Sequence, residues 1–370
     1  MRPPPPLGPM PPLQLLRSLS ALPDINPVVD FPAPNPAPKS TVGGDAFPSV
    51  YSTLAPHALT NLVFKHYDIE VPKGCRFWHR GLSDVYLVET LADDYILRIS
   101  HQHWRTESEI QFELDLLNFL ADRDVPVAAP LRHRDGGYAL EINAPEGKRY
   151  ASLFPYAPGG VAIGDLNKTQ GFLLGEMLAQ LHQTAQRFKP SAHRPPLTLS
   201  YLLDDSLHVI APFLHHRLEE WRCLIDISMA IKTQLKTIPT HVPYWTICWG
   251  DPHSGNVHFT AEDQMMLFDF DQCGMGWRAF DIAKFLQVSM QSGLGRNIRD
   301  AFLSGYNSIA PLTVLEENCL QALTQTAFIW SWAIHVQTLK LSDYSRLHSG
   351  YFKRRLETLQ QLGSTDWQLF

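Results

Sequence analysis

The chain has no membrane span: none of its apolar runs approaches the ~18 residues such a segment needs, and no apolar signal core stands near its start. A soluble, cytoplasmic protein is expected. Cysteine is scarce and irregular. Cys75, Cys223, Cys248, Cys273 and Cys319 are odd in number and lack Cys-x-x-Cys spacing, which argues against zinc or a disulfide framework and fits buried thiols in a reducing compartment. Clusters of lysine and arginine are also missing. With 31 basic against 37 acidic residues and a formal net charge of −6, the chain lacks the basic face that phosphate backbones demand, so nucleic acid is not an expected partner. No internal repeat is evident.

Proline, by contrast, is concentrated at one end. Pro3 to Pro6, Pro9, Pro11, Pro12, Pro32, Pro34, Pro36 and Pro38 block helix and sheet, so residues 1–45 are expected to form a disordered tail. The remaining length suits one bilobal enzyme, with 45% hydrophobic residues and nine Trp for its core. Its lobes are expected at 46–155 and 156–370, the join lying in the Pro/Gly-rich link Tyr156-Ala157-Pro158-Gly159-Gly160 after the apolar strand at Ala151 to Phe154.

The chemistry is concentrated in Trp249-Gly250-Asp251-Pro252-His253-Ser254-Gly255-Asn256-Val257 and Met266-Leu267-Phe268-Asp269-Phe270-Asp271. An Asp, an Asn five positions later and a second Asp after an apolar run have the order of a kinase base followed by two Mg²⁺ ligands. Asp251, on a turn, is the candidate base for the attacking hydroxyl. Asn256 and Asp269 are the candidate metal ligands, because Mg²⁺ takes oxygen donors and keeps waters and phosphate oxygens for its other positions. Val257 to Phe259 and Met266 to Phe268, broken by the polar turn Thr260 to Gln264, predict a hairpin that brings those two ligands together. Asp281 opens a helical pattern, either as an N-cap or as a brace on the catalytic loop.

These segments resemble the aminoglycoside phosphotransferase and choline kinase-like superfamily, in its Gly-Asp-x-x-x-x-Asn loop and following Ile-Asp-Phe/Trp strand. Within it, Val125-Pro126-Val127-Ala128-Ala129-Pro130 and Trp277-Arg278-Ala279-Phe280-Asp281 are most similar to the branch of stress-response kinase A and type II homoserine kinase-like proteins. Trp249 departs from the pattern, which usually has His there. The resemblance covers roughly residues 60–350. It implies an α+β, bilobal protein kinase-like fold, with a small antiparallel-sheet N-lobe carrying one main helix and a mainly α C-lobe. It also implies ATP and Mg²⁺ as cofactors and a hydroxyl as acceptor.

Upstream residues fit that arrangement. Trp78 to Val88 and Tyr95 to Ile99 predict three antiparallel strands, and Gly81 and Ser83 in the first turn are candidate donors to phosphate oxygens. Asp84 beside them is an odd neighbour for a phosphate. Arg98 stands where the third kinase strand carries its phosphate-pairing Lys. A helix predicted over Glu107 to Leu120 offers it Glu109 or Glu113, four apart on one face; the family spacing favours Glu113. Backbone groups near Phe154 and Tyr156 are candidates to bind adenine at the hinge. His182 reads as a packed helix-end histidine, and from about Asn167 onward the pattern is helical.

The acceptor is expected to be a small metabolite, an amino alcohol or a hydroxy amino acid such as homoserine, with Ser/Thr of a protein as the alternative. No segment ending in Ala-Pro-Glu follows Asp269. Asp271 is a candidate for holding an acceptor amine, or equally a hydrogen-bonding support.

Overall fold

The computed structural model describes residues 47–161 and 166–369; the proline-rich tail expected at 1–45 lies outside the described residues. The first lobe begins with helix α1 (Pro56–His66), opened by a proline where no N–H partner is needed. Three hairpin-linked strands follow, β1 (Gly74–Arg80), β2 (Ser83–Glu89) and β3 (Asp94–Ser100). Helix α2 (Glu107–Ala121) starts at a reciprocal capping box between Thr106 and Glu109. Strands β4 (Leu140–Ala144) and β5 (Gly147–Pro155) complete a five-stranded antiparallel sheet in the order β1-β2-β3-β5-β4.

The second lobe is mainly helical, as expected. It contains β6 (Gly160–Val161), α3 (Lys168–Ala185), a π-helical turn at Ser200–Asp204 running into α4 (Asp205–Leu214), and α5 (Leu218–Leu235). Strands β7 (Trp245–Cys248), β8 (Val257–Phe259), β9 (Met265–Leu267) and β10 (Gly274–Trp277) carry the motif region. Helices α6 (Arg278–Gln291), α7 (Arg296–Ile309), α8 (Val314–Ser342) and α9 (Ser349–Leu362) follow. No described helix is long and apolar enough to cross a membrane. All five cysteines are free.

Two apolar cores underlie this α+β bilobal fold. The smaller lies under the sheet and joins Leu59, Val63, Tyr67, Tyr86, Val88, Leu97, Ile99 and Leu153. The larger fills the helical lobe, and α2 gives its apolar face to it through Leu114, Leu117 and Leu120. Helix α2 therefore stands in the sheet lobe by sequence and in the helical core by packing. The segment after it is stitched to the motif hairpin: Leu267 N–H donates to Pro126 O at 2.8 Å and Ala128 N–H to Leu267 O at 2.9 Å. In the helical lobe a buried bidentate pair, Arg278 with Glu316 at 2.7 and 2.9 Å, ties α6 to α8.

Candidate active site

The loop after β7 turns at Gly250, whose φ is +87°. A Cβ there would lie 2.0 Å from Gln272 O, so both the dihedral and the space call for glycine. The turn is held from below by Asp281, which is fully buried. Its carboxylate accepts Trp249 N–H at 2.7 Å and Gly250 N–H at 2.9 Å, while His182 Nε2 lies 3.0 Å from it and His182 Nδ1 lies 2.8 Å from the Tyr306 hydroxyl. Asp281 is thus the brace, and the N-cap position of α6 belongs to Trp277. His182 is packed and hydrogen-bonded within that support. Trp249, at the family's usual His position, is buried against Phe270 and donates its indole N–H to Asp269 O at 3.1 Å.

Asp251 keeps 16% of its side chain exposed and has polar partners on both carboxylate oxygens. Lys284 Nζ stands 3.3 Å from Oδ1. Gln272 Nε2 donates to Oδ2 at 2.9 Å, and His253 Nε2 lies 3.5 Å from the same oxygen. Burial would raise the Asp251 carboxyl, but Lys284 and then His253 outweigh it and hold it well below the usual carboxylate range.

Asn256 follows in a short 3₁₀ turn, Ser254–Asn256. Its Nδ2 donates to Asp251 O at 3.0 Å, which commits the amide nitrogen and leaves Oδ1 as the free oxygen donor. The β8–β9 hairpin forms as expected, with Val257 opposite Leu267, and Phe268 N–H closes it on Asn256 O at 3.0 Å. Asp269 then adopts a left-handed φ of +58°, unusual for a residue with a Cβ. Its carboxylate is 54% exposed and its nearest cation is Arg98 at 3.9 Å. Burial of the surrounding cleft, followed by the charges of Asp271, Asp251 and Glu113, pushes its carboxyl up to about 7 despite Arg98. An oxygen pair from Asn256 and Asp269 in a carboxylate-rich cleft has the donor chemistry of a hard divalent cation.

Across the cleft, Arg98 of β3 and Glu113 of α2 form a fork of two 2.7 Å bonds. Arg98 also lies 4.9 Å over the Phe154 ring. Glu109 is occupied otherwise, by the capping box and by Arg105 at 3.2 Å. Between the two candidates that share a helix face, the structure pairs Arg98 with Glu113.

The first turn differs from expectation. The Gly81 N–H donates to Ser83 O at 3.0 Å, so it is used inside the turn, and Ser83 is buried at the start of β2. Asp84 points inward. Fully buried, it accepts Arg149 Nη2 at 2.8 Å, Arg80 Nε at 3.0 Å and the Tyr51 hydroxyl. The odd neighbour for a phosphate is therefore a structural hub beneath the turn.

At the link between the lobes, Tyr156 N–H donates to Asp94 O at 3.1 Å. By strand alternation Phe154, opposite Ile96, also turns its backbone groups toward β3. The backbone edge facing away from β3 is that of Pro155 and Ala157, one residue out of phase with the expectation. The Ala157 N–H has no acceptor among the described residues. Asp271 is buried and committed: it accepts the Trp104 indole N–H and stands 3.7 Å from Arg105 Nε. The structure gives it the supporting role rather than an open place for an amine.

Lys284, Gln272 and Arg105 are the site residues that sequence reading passes over. Lys284 had one local signal, as the lone cation in the apolar stretch Ala279 to Leu286, one turn beyond Asp281. Gln272 had none, since Asp251 lies 21 residues away, and the local partner of Arg105, Glu109 at 3.2 Å, gives no hint of its distant one, Asp271.

A two-lobed kinase-like fold, with the candidate base, the oxygen pair and the Arg–Glu fork meeting at the cleft, defines an enzyme of the phosphotransferase class. The chain belongs to the phosphotransferase enzyme family, whose model matches residues 74–316. It is 97% identical over 361 residues to an uncharacterized protein of Synechocystis sp., covering 98% of this chain and 100% of that one. It is 26% identical over 263 residues to a homoserine kinase of Polaromonas naphthalenivorans, covering 67% of this chain and 76% of that one. In fold it is similar to the solved amicoumacin kinase in complex with AMP-PNP, Ca²⁺ and its ligand, with a TM-score of 0.69 at 19% identity, covering 82% of this chain and 92% of that one.

Proposed function

We propose that this ATP-dependent kinase transfers the γ-phosphate of ATP to a hydroxyl of a small metabolite, of the amino alcohol or hydroxy amino acid type. One observation carries the reading: Asp251, Asn256 and Asp269 converge on one cleft that Arg98 enters from the opposite lobe, 3.9 Å from Asp269. Asp251 orients the acceptor hydroxyl and takes its proton as the P–O bond forms. Its low proton affinity suits a base whose main work is orientation, with the proton moving late.

Arg98, fixed by Glu113, holds phosphate oxygens of the nucleotide. Gly81 and Ser83 shape the turn above them, and the link at Phe154 to Ala157 borders the adenine. Asn256 Oδ1 and the Asp269 carboxylate would hold Mg²⁺, which when bound supplies charge neutralisation to the transferring phosphoryl group. A small acceptor is supported by the homoserine kinase and amicoumacin kinase among the similar proteins. The short run from Asp269 to Asp281 leaves little chain for a protein-docking segment.

The test is ATP consumption with Mg²⁺ over a panel of amino alcohols, hydroxy amino acids, aminoglycosides and generic protein substrates. Stimulation should be greatest with a small amine-bearing alcohol. Radiolabel on Ser or Thr of added protein, with every small alcohol unlabelled, would overturn the metabolite reading.

A further inference from the structure

Lys284 projects from α6 and is buried, with 4% of its side chain exposed. Burying an ammonium is costly unless it is paired and hydrogen-bonded. Its one carboxylate partner among the described residues is Asp251, 3.3 Å away. The remaining contacts come from α8: Nζ donates to Ser331 Oγ at 2.6 Å and lies 5.7 Å from the centre of the Trp330 ring.

Gln272 grips the other oxygen of the same carboxylate at 2.9 Å. With Lys284 on Oδ1 and Gln272, joined by His253 at 3.5 Å, on Oδ2, rotation of the Asp251 carboxylate breaks these contacts. Oδ1, with the ammonium as its one donor, keeps a lone pair available for an incoming hydroxyl.

We propose that Lys284 is a positioning residue that fixes the Asp251 carboxylate for the acceptor hydroxyl, and that Ser331 of α8 holds the ammonium in place. This rests on Asp251 being the group that orients the acceptor. Charge neutralisation alone would ask only for a cation nearby. The geometry adds a fixed ammonium, oriented by a hydroxyl from a separate helix and opposed across the carboxylate by an amide. A base displaced by even 1 Å is expected to lose about 10²-fold in rate.

The experiment uses the full chain with Lys284→Met and the milder Ser331→Ala. Lys284→Met should lower kcat about 10²-fold while KM for ATP stays within about twofold, the pattern of an interaction that matters in the transition state. Ser331→Ala should lower kcat by a smaller factor with the melting temperature unchanged. A Lys284→Met kcat within about threefold of wild type would overturn the proposal. Crystals of wild type and Lys284→Met with AMP-PNP and Mg²⁺ provide a readout independent of turnover: the Asp251 carboxylate rotates away from Gln272 if the proposal holds, and keeps its place if it does not. Should the wild type phosphorylate nothing in the acceptor panel, the functional reading falls while this comparison still decides what positions Asp251.

Discussion

The Asp281 carboxylate and the Gly250 N–H, 31 residues apart in the chain, meet at 2.9 Å, and the same carboxylate takes the Trp249 N–H at 2.7 Å. Two successive amides of the loop are thereby fastened to the first turn of α6. Replacing one oxygen by an amide nitrogen leaves a buried N–H facing a donor, a loss of about 1–3 kcal/mol. Asp281→Asn should lower stability in urea by that amount and reduce kcat with it. Full activity and an unchanged urea midpoint would refute the brace.

Asp251→Asn keeps shape and removes the proton acceptor. Loss of a positioned general base removes about 10²–10⁴-fold in rate, so kcat should fall within that range while ATP affinity, read by calorimetry, is nearly unchanged. Near wild-type turnover would take Asp251 out of the mechanism.

Asn256→Ala and Asp269→Ala each remove one of the two oxygen donors. Both should raise the Mg²⁺ concentration needed for half-maximal turnover or abolish turnover, because a hard cation has few other protein ligands in this cleft. Unchanged Mg²⁺ titrations in both variants would contradict the assignment.

Glu316→Ala removes the carboxylate of the buried pair between α6 and α8, together with its capping bonds to Thr313, and leaves the Arg278 guanidinium with the carbonyls of Ala310 and Pro311. Breaking a buried pair from one side typically costs about 3–5 kcal/mol. Chemical denaturation should show that loss, and a change below about 1 kcal/mol would mean the pair behaves as a surface ion pair.

His335 lies 2.9 Å from the Tyr351 hydroxyl and 3.0 Å from Arg355 Nη2. Burial first, then Arg355 and Arg346, lower its pKa to about 3. The unfolded chain, with a pKa of about 6.5, takes up the proton first, so this contribution is complete above pH 6.5 and is lost as pH falls toward 3. Stability should decline on the order of 1 kcal/mol between pH 7 and 5. His335→Phe should flatten that slope, and an equal slope in the variant would place the effect elsewhere.

Much of the site was legible because its signals are local. The spacing of Asp251, Asn256 and Asp269, the polar turn within the β8–β9 hairpin and the apolar period of α2 all lie within a few turns of chain. What stayed hidden depends on packing between distant segments. Glu109 and Glu113 share a helix face, and only the capping box at Thr106 and the depth of α2 in the larger core separate them. The backbone edge facing away from β3 falls at Pro155 and Ala157 rather than at Phe154 and Tyr156 because strand phase is set by the partner strand, here through Tyr156 N–H on Asp94. Asp84 could not be turned inward on paper, since Arg149, which binds it, comes from β5, 65 residues on.

The fit of Gly250 against the carbonyl of Gln272 has a consequence for how this chain tolerates variation. Two turns from separate stretches nest there with no room for a methyl group, and one carries the candidate base while the other carries the amide that holds it. An alanine at 250 would shift both partners together. Variants in a saturation library at that position should therefore lose stability and turnover together, and revertants should regain the glycine itself more readily than acquire a compensating change elsewhere.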